Sequence, residues 1–392
     1  MTKDLSSLTL LIACSFGLLA CAGPRHHQTP YAPRQDASAA QQRALDLAAR
    51  GYPGAAHQAE PAGQPLAIRS QQWVVKGDPL PVTLVAPVGG PASLPLLVYL
   101  PGLGESAQAG AHWRYAWARA GYAVLSFQAL DDDARAWSST LARQADFKAL
   151  ALQHQQAPLL QARLRMLEGV LAEAKLRSTS GDTLWTRVDL DHVAVIGYDL
   201  GAATAMAWAA GLRPTAAAQA RAVIMLSPSG LSRPTAEKSL ANMPPQMPLL
   251  AINSQRAADL TGVLASANER TRFFDALPAA SNKYLLLLNS PSHAALAGAS
   301  GMAELPSEPS GQGSARRGAS QPGKGQGPHN VVMSEAPPPT LLDKGNQEAG
   351  VAIEHISIAF LNQHLRANPQ AASWLRESAA QWLTGLAEWR RP

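Results

Sequence analysis

Asp199 and His293 are the two side chains whose setting most invites a chemical reading. Asp199 stands at the centre of Gly197-Tyr198-Asp199-Leu200-Gly201-Ala202-Ala203, directly after the apolar run Val193-Ala194-Val195-Ile196. A strand that turns sharply through flanking glycines into a small-residue helix brings two backbones closer than any Cβ permits. The central residue is forced to positive φ, which Asp tolerates better than most residues. Its carboxylate then projects at the carboxyl edge of a sheet, beside a helix N-terminus that favours negative charge. This is the setting of a nucleophile elbow, G-x-S-x-G, with Asp where Ser usually stands. His293 follows the apolar run Tyr284 to Leu288 through Asn289-Ser290-Pro291-Ser292, which makes it the candidate general base. A carboxylate that attacks and an imidazole that activates the releasing water suffice for covalent hydrolysis. Pro101-Gly102-Leu103-Gly104 comes just after Leu96 to Leu100. The backbone N–H of Leu103, with that of Leu200 after the elbow, is the expected pair of oxyanion donors.

Other polar side chains compete for notice. Ser106 and Ser292 fall near these landmarks, but neither sits on an elbow. His192 precedes a buried strand, where a turn role is expected; His112 lies near the Pro101–Gly104 loop and is a candidate pocket residue. No H-x-x-x-H or H-x-H spacing occurs with nearby carboxylates, and no G-x-G-x-x-G or P-loop motif occurs. The expected cofactor is therefore none, the expected metal none, and the expected partner a small-molecule substrate.

The elements that must position these groups are legible as alternating patterns. Gln72 to Val75 and Leu80 to Val85 read as two antiparallel strands joined by Lys76-Gly77-Asp78-Pro79. Apolar strands then alternate with helices. Leu96 to Leu100, Tyr122 to Phe127, Val193 to Ile196, Ala222 to Leu226, Leu249 to Ile252 and Tyr284 to Leu288 are strands. Leu159, Leu160, Leu164, Leu167 and Leu171 mark a long helix, and Ala202 to Ala210 another. Fully apolar strands alternating with helices imply an α/β fold with a mostly parallel sheet covered on both faces. Ile353, Ile356, Phe360 and Leu365 mark a helix near the end of the chain; Leu375, Trp382 and Leu386 mark a second. No internal repeat is found.

The chain has 392 residues, 46% hydrophobic and 16% charged, which suits one large core with tails. Its net charge of +5 comes without a Lys/Arg run interleaved with aromatics, so nucleic acid is a poor partner. The only cysteines, Cys14 and Cys21, fall in the first 21 residues, leaving none for a disulfide or thiolate metal site in the body. Lys3 followed by the apolar run Leu8 to Ala20 reads as an export signal, too short for a comfortable membrane span. The expected organisation is a signal over 1–21, a tether over 22–70 with one possible helix around Ser38 to Arg50, and a core over 71–298. A low-complexity disordered insertion over 299–349 and closing helices over 350–392 complete it.

Two resemblances follow from these residues. Leu18-Leu19-Ala20-Cys21 resembles the lipobox of bacterial lipoproteins. That implies acylation of Cys21, anchorage in the lipid bilayer and, with Ala22 rather than Asp next, an outer-membrane location facing the periplasm. From about Gln71 to Leu375 the chain resembles the platelet-activating-factor acetylhydrolase and dienelactone-hydrolase branch of the α/β-hydrolases. That branch has S-H-G-L-G-G where this chain has Leu100-Pro101-Gly102-Leu103-Gly104-Glu105, and G-H-S-F-G-A where it has Gly197-Tyr198-Asp199-Leu200-Gly201-Ala202. Its closing helix is similar to Ile358-Ala359-Phe360-Leu361-Asn362. The family's acid, which orients the His, should follow Leu249 to Ile252. Here Asn253-Ser254-Gln255-Arg256-Ala257-Ala258 intervenes before Asp259, and Ser227-Pro228-Ser229 offers no carboxylate.

Asp nucleophiles occur in haloalkane dehalogenases and epoxide hydrolases of this fold. The first usually have Trp after the Asp, where Leu200 stands here; the second bring two Tyr from a cap, and Ser229 to Pro248 contains none. Two readings stay open: a hydrolase of an ester or other small organic substrate working through Asp199 and His293, and a non-catalytic hydrolase-like binding lipoprotein in which Asp199 only caps a helix.

Overall fold

The computed structural model describes residues 34–58, 65–129, 134–212, 220–228, 247–256, 267–278, 282–298, 330–333 and 346–392. Cys21, Asp259 and most of the 299–349 stretch lie outside them.

The strands are β1 (Leu66–Val75), β2 (Asp78–Pro87), β3 (Leu94–Leu100), β4 (Ala123–Phe127), β5 (Val188–Tyr198), β6 (Ala220–Leu226), β7 (Leu249–Ser254), β8 (Lys283–Leu288), β9 (Asn330–Met333) and β10 (Ala387–Arg390). They form one ten-stranded sheet in the order β10-β8-β7-β6-β5-β3-β4-β2-β1-β9. From β3 to β8 every pairing is parallel, while β1, β2, β9 and β10 join antiparallel at the two ends. The expected α/β class with a mostly parallel sheet is what folds. The first hairpin turns on Lys76 and Gly77, both at positive φ, and runs longer than its apolar residues alone suggest.

Strand alternation sends side chains into two cores. Leu96, Val98, Val193 and Val195 face one side, with α5 (Ala157–Ser178), α6 (Leu200–Ala209) and a helix at Ala267–Ala276. Leu97, Tyr99, Ala194 and Ile196 face the other, with a helix at Ala111–Arg119 and the long helix Gln347–Leu365. Because both faces are covered, the parallel strands carry no polar face.

The helix expected around Ser38 to Arg50 forms, but the stretch packs on the core rather than hanging as a tether. Arg34–Ala49 is a helix whose Ala40, Ala44 and Leu47 are buried, and a 3-10 turn follows at Pro53–Gln58. Small residues four and three apart let this helix lie close against Gln347–Leu365. Tyr52 enters the core, where its hydroxyl accepts a hydrogen bond from Asn362 Nδ2 at 3.2 Å. Asn362 Oδ1 also accepts from Tyr122 Oη at 2.7 Å and from the Arg366 guanidinium at 2.9 Å. The sheet itself begins at Leu66 rather than Gln71. Two further differences concern the end of the chain. Asn330–Met333, inside the expected disordered insertion, pairs with β1, and the closing helix starts at Gln347 rather than 350. The last helical segments end at Trp382, and the chain returns as β10 against β8. Among the described residues no helix is long and apolar enough to cross a membrane.

Candidate active site

The elbow forms as the glycine spacing requires. Asp199 has φ 49° and ψ −108°, between the end of β5 and the start of α6. A Cβ on Gly197 would lie 2.2 Å from the Gly201 carbonyl carbon, and one on Gly201 would lie 2.0 Å from the Leu100 carbonyl oxygen. These two contacts force glycine at both positions and press the end of β3 against the first turn of α6. A non-glycine residue held at such angles costs about 1–3 kcal/mol. Asp199 occupies the N-cap position of α6, yet its carboxylate takes no capping hydrogen bond. The strain is therefore not offset by a cap. Its backbone N–H donates to Leu226 O at 3.0 Å, which ties the elbow to the end of β6.

The next residue, Ser227, holds the histidine. Ser227 is fully buried at φ 44°, and its Oγ lies 2.6 Å from His293 Nδ1. His293 itself is buried and opens the short helix His293–Leu296. Its ring lies 5.0 Å from the Tyr198 ring, and its carbonyl accepts from Tyr198 Oη at 3.1 Å. Trp113 Nε1 donates to Leu296 O at 2.9 Å and fixes the far end of that helix. Asp199 and His293 are thus brought to one edge of the sheet, Asp199 bonded to the residue before the histidine's partner and the Tyr198 ring tilted at 33° beside the imidazole.

The loop after β3 forms the opposite wall. Gln128 Nε2 donates to Gly102 O at 2.8 Å, and Trp137 Nε1 donates to Gly104 O at 3.1 Å. Gly104, at φ 77°, leaves the space that the Trp137 ring fills. The Gly102 N–H donates to Glu105 Oε2 at 2.7 Å, so a carboxylate lies against the loop expected to offer an oxyanion donor. Burial pushes the Glu105 carboxyl up to about 7, the Gly102 N–H pulls it down, and the nearby Asp199 carboxylate adds to the rise.

A cap also covers this wall. After β4 come a 3-10 turn at Ala134–Ser138 and two short helices, Thr140–Arg143 and Phe147–His154. Their Ala136, Leu150 and Ala151 form one apolar cluster with Leu103 and Leu200, the two residues whose N–H groups were expected to serve as oxyanion donors; Trp137 and Leu141 pack against it.

The remaining expectations sort as follows. His192 does not precede the strand in a turn: it lies within β5, where the pairing with β3 shifts register, and its Nδ1 is 2.8 Å from Asp189 Oδ2. His112 does not line the site; its Nε2 pairs with Glu354 at 2.7 Å, against the long C-terminal helix. Ser106 is exposed and accepts from Gln108 N, while Ser292 Oγ accepts from Ala295 N at 3.2 Å and caps the His293 helix. Among the described residues no group of three or more His, Cys, Asp or Glu side chains could hold a metal. Sequence reasoning missed Ser227, Glu105 and the cap. Ser227 was passed over because a carboxylate was sought, although its place directly after β6 was the signal. Glu105 was visible as the first ionisable residue after the loop glycines.

No family model matches this chain. No curated protein matches it either.

Proposed function

We propose that the protein is a hydrolase of the α/β-hydrolase fold that acts on an ester or other small organic substrate. Asp199 is the nucleophile and His293 the base. The carrying observation is that Asp199 sits in a strained elbow without using its carboxylate as a helix cap, while His293 is held at the same sheet edge by Ser227. A residue that served only as a cap would take the hydrogen bond that Asp199 forgoes. Strain of this kind is retained where it serves a site. In the first step the carboxylate displaces a leaving group from an sp³ carbon and forms an alkyl ester on Asp199, or displaces the alkoxide from an ester's acyl carbon and forms a mixed anhydride. In the second, His293 takes a proton from water, the hydroxide formed attacks the Asp199 carbonyl carbon, and the bond from that carbon to the substrate oxygen breaks, releasing an alcohol or acid and the free Asp199 carboxyl group. With Nδ1 engaged by Ser227, the base is Nε2. A neutral hydroxyl orients the ring but stabilises imidazolium less than a carboxylate does, so release is expected to be the slow step. Leu103 and Leu200 remain the proposed N–H donors to the oxyanion of that second step. The lipobox-like start adds that the protein is held to the bacterial envelope through Cys21.

Exposure of His293→Gln to p-nitrophenyl esters, haloacids and epoxides, followed by intact-protein mass spectrometry, tests the pair. Attack needs only the carboxylate, so a covalent adduct on Asp199 should accumulate in that variant and be absent from Asp199→Asn. An unmodified His293→Gln with every substrate, beside a wild type that turns none over, would overturn the reading.

A further inference from the structure

We propose that the N-terminus of the helix Ala111–Arg119 is a buried binding site for a small monovalent anion of chloride size, held between the Arg114 guanidinium and the Tyr99 hydroxyl. Binding of that ion does not depend on the roles of Asp199 and His293.

Two donors meet at this helix end. Tyr99, near the end of β3, is fully buried, and its ring packs against that of Trp117 with centroids 6.3 Å apart. Gly110 opens the helix at φ 64°, and a Cβ on it would lie 2.5 Å from Tyr99 Oη, so the hydroxyl sits against the helix N-terminus. Arg114, in the first turn and only 2% exposed, folds its side chain back to the same end. Its Nε donates to Ala109 O at 2.8 Å and its Nη2 to Gln108 O, which pins the guanidinium on the two residues before Gly110. Arg114 Nη1 and Tyr99 Oη are both sealed from solvent, and neither finds a hydrogen-bond partner among the described residues.

Charge decides what suits this pair of donors. Buried charges in folded proteins are matched by an opposite charge, because a guanidinium taken out of water without one is costly. The Gln108 and Ala109 carbonyls satisfy N–H groups but bring no negative charge. Glu105, whose charge reaches Tyr99, is bonded through Oε2 to the Gly102 N–H at 2.7 Å and makes no hydrogen bond to either donor. Burial, and then the Glu105 charge, hold the Tyr99 proton on, so its hydroxyl can donate. The helix end adds the partial positive charge of its N–H groups, and Gly110 has no side chain with which to cap it. A water molecule would satisfy the two donors and leave the guanidinium charge unbalanced; an anion does both. One guanidinium balances one negative charge, which favours a halide over sulfate or phosphate. Bound there, the ion would join β3 to the helix and brace the loop between Glu105 and Gly110.

The test follows the melting temperature of the full chain in detergent while sodium bromide replaces sodium gluconate at constant ionic strength. A saturable rise of at least about 2 °C is expected, since a ligand that binds only the folded state stabilises it. Tyr99→Phe keeps the ring and removes one donor to the ion, so it should raise the half-saturating bromide concentration about 10-fold. Crystals of the wild type soaked in bromide should show an anomalous peak within hydrogen-bond reach of both Arg114 Nη1 and Tyr99 Oη. No bromide-dependent shift would overturn the site, and so would an unchanged half-saturation in Tyr99→Phe. Anomalous peaks confined to the surface, an adventitious ion only, would overturn it as well. Should Tyr99→Phe fail to fold, the position of bromide in the wild-type crystals decides alone.

Discussion

Replacing Gly201 with alanine is the sharpest test of how the elbow is built, because two effects of opposite sign compete there. Gly201 is the second residue of α6, and in an ordinary helix Gly→Ala stabilises by about 0.8–1 kcal/mol. Here the added Cβ would lie 2.0 Å from Leu100 O, 2.6 Å from Leu100 C and 2.7 Å from Pro101 O, where ordinary contact begins at 3.4 Å. All three atoms are backbone at the end of β3, which is hydrogen-bonded to strands on both sides. Relief therefore requires α6 and the sheet to move apart by well over an ångström, or the Pro101–Glu105 loop to be displaced. Overpacking of this kind costs about 1–3 kcal/mol and sometimes more. The net expectation is a loss of about 0–2 kcal/mol, towards the upper end because all three clashing atoms are backbone, seen as a lower urea midpoint at unchanged slope or a melting temperature lower by roughly 2–4 °C for each kcal/mol. Because the displaced loop carries Gly102 and Glu105, adduct formation on Asp199 should fall as well. A Gly201→Ala protein more stable than wild type would show that the close approach of β3 to α6 does not constrain this position.

Two partly buried ionisable groups give opposite pH slopes. Burial holds His364, packed between Tyr284 and Phe360, down at about 4 instead of 6.5. The unfolded chain takes up this proton first, so stability should fall as pH drops from about 6.5 towards 4, by at most about 1.4 kcal/mol per pH unit, and His364→Phe should flatten that arm in urea titrations. Glu105 runs the other way. The folded protein keeps its proton up to about 7 against 4.5, so its contribution is lost as pH rises across that window and Glu105→Gln should remove the slope; a profile unchanged by either substitution would contradict the assigned burial. At the other end of the chain, Cys21→Ser should move the protein from the membrane to the soluble fraction of a bacterial host and abolish diacylglyceryl labelling; persistent membrane fractionation would count against the lipobox.

What the sequence determined by itself was the sheet and the place of the elbow. Short apolar runs such as Val193 to Ile196 and Leu249 to Ile252, alternating with helical stretches, read as strands buried on both faces, and Gly197 and Gly201 admit no side chain between two touching backbones. Both are local constraints, written in residue type and spacing. Tertiary structure decided the rest of the site, because its contacts join residues far apart in the chain. Ser227 became the histidine's partner only when β6 ended beside the His293 helix, and no spacing rule searches for a hydroxyl where an acid is expected. The alanine-rich stretch before β1 looked like a tether because Ala40 and Ala44 carry little hydrophobic signal alone; small size becomes binding area only against the long C-terminal helix. Glu105 reads in sequence as an ordinary surface charge. Only the fold, by partly burying it against the Gly102 loop and setting it near Asp199, pushes its carboxyl up to about 7.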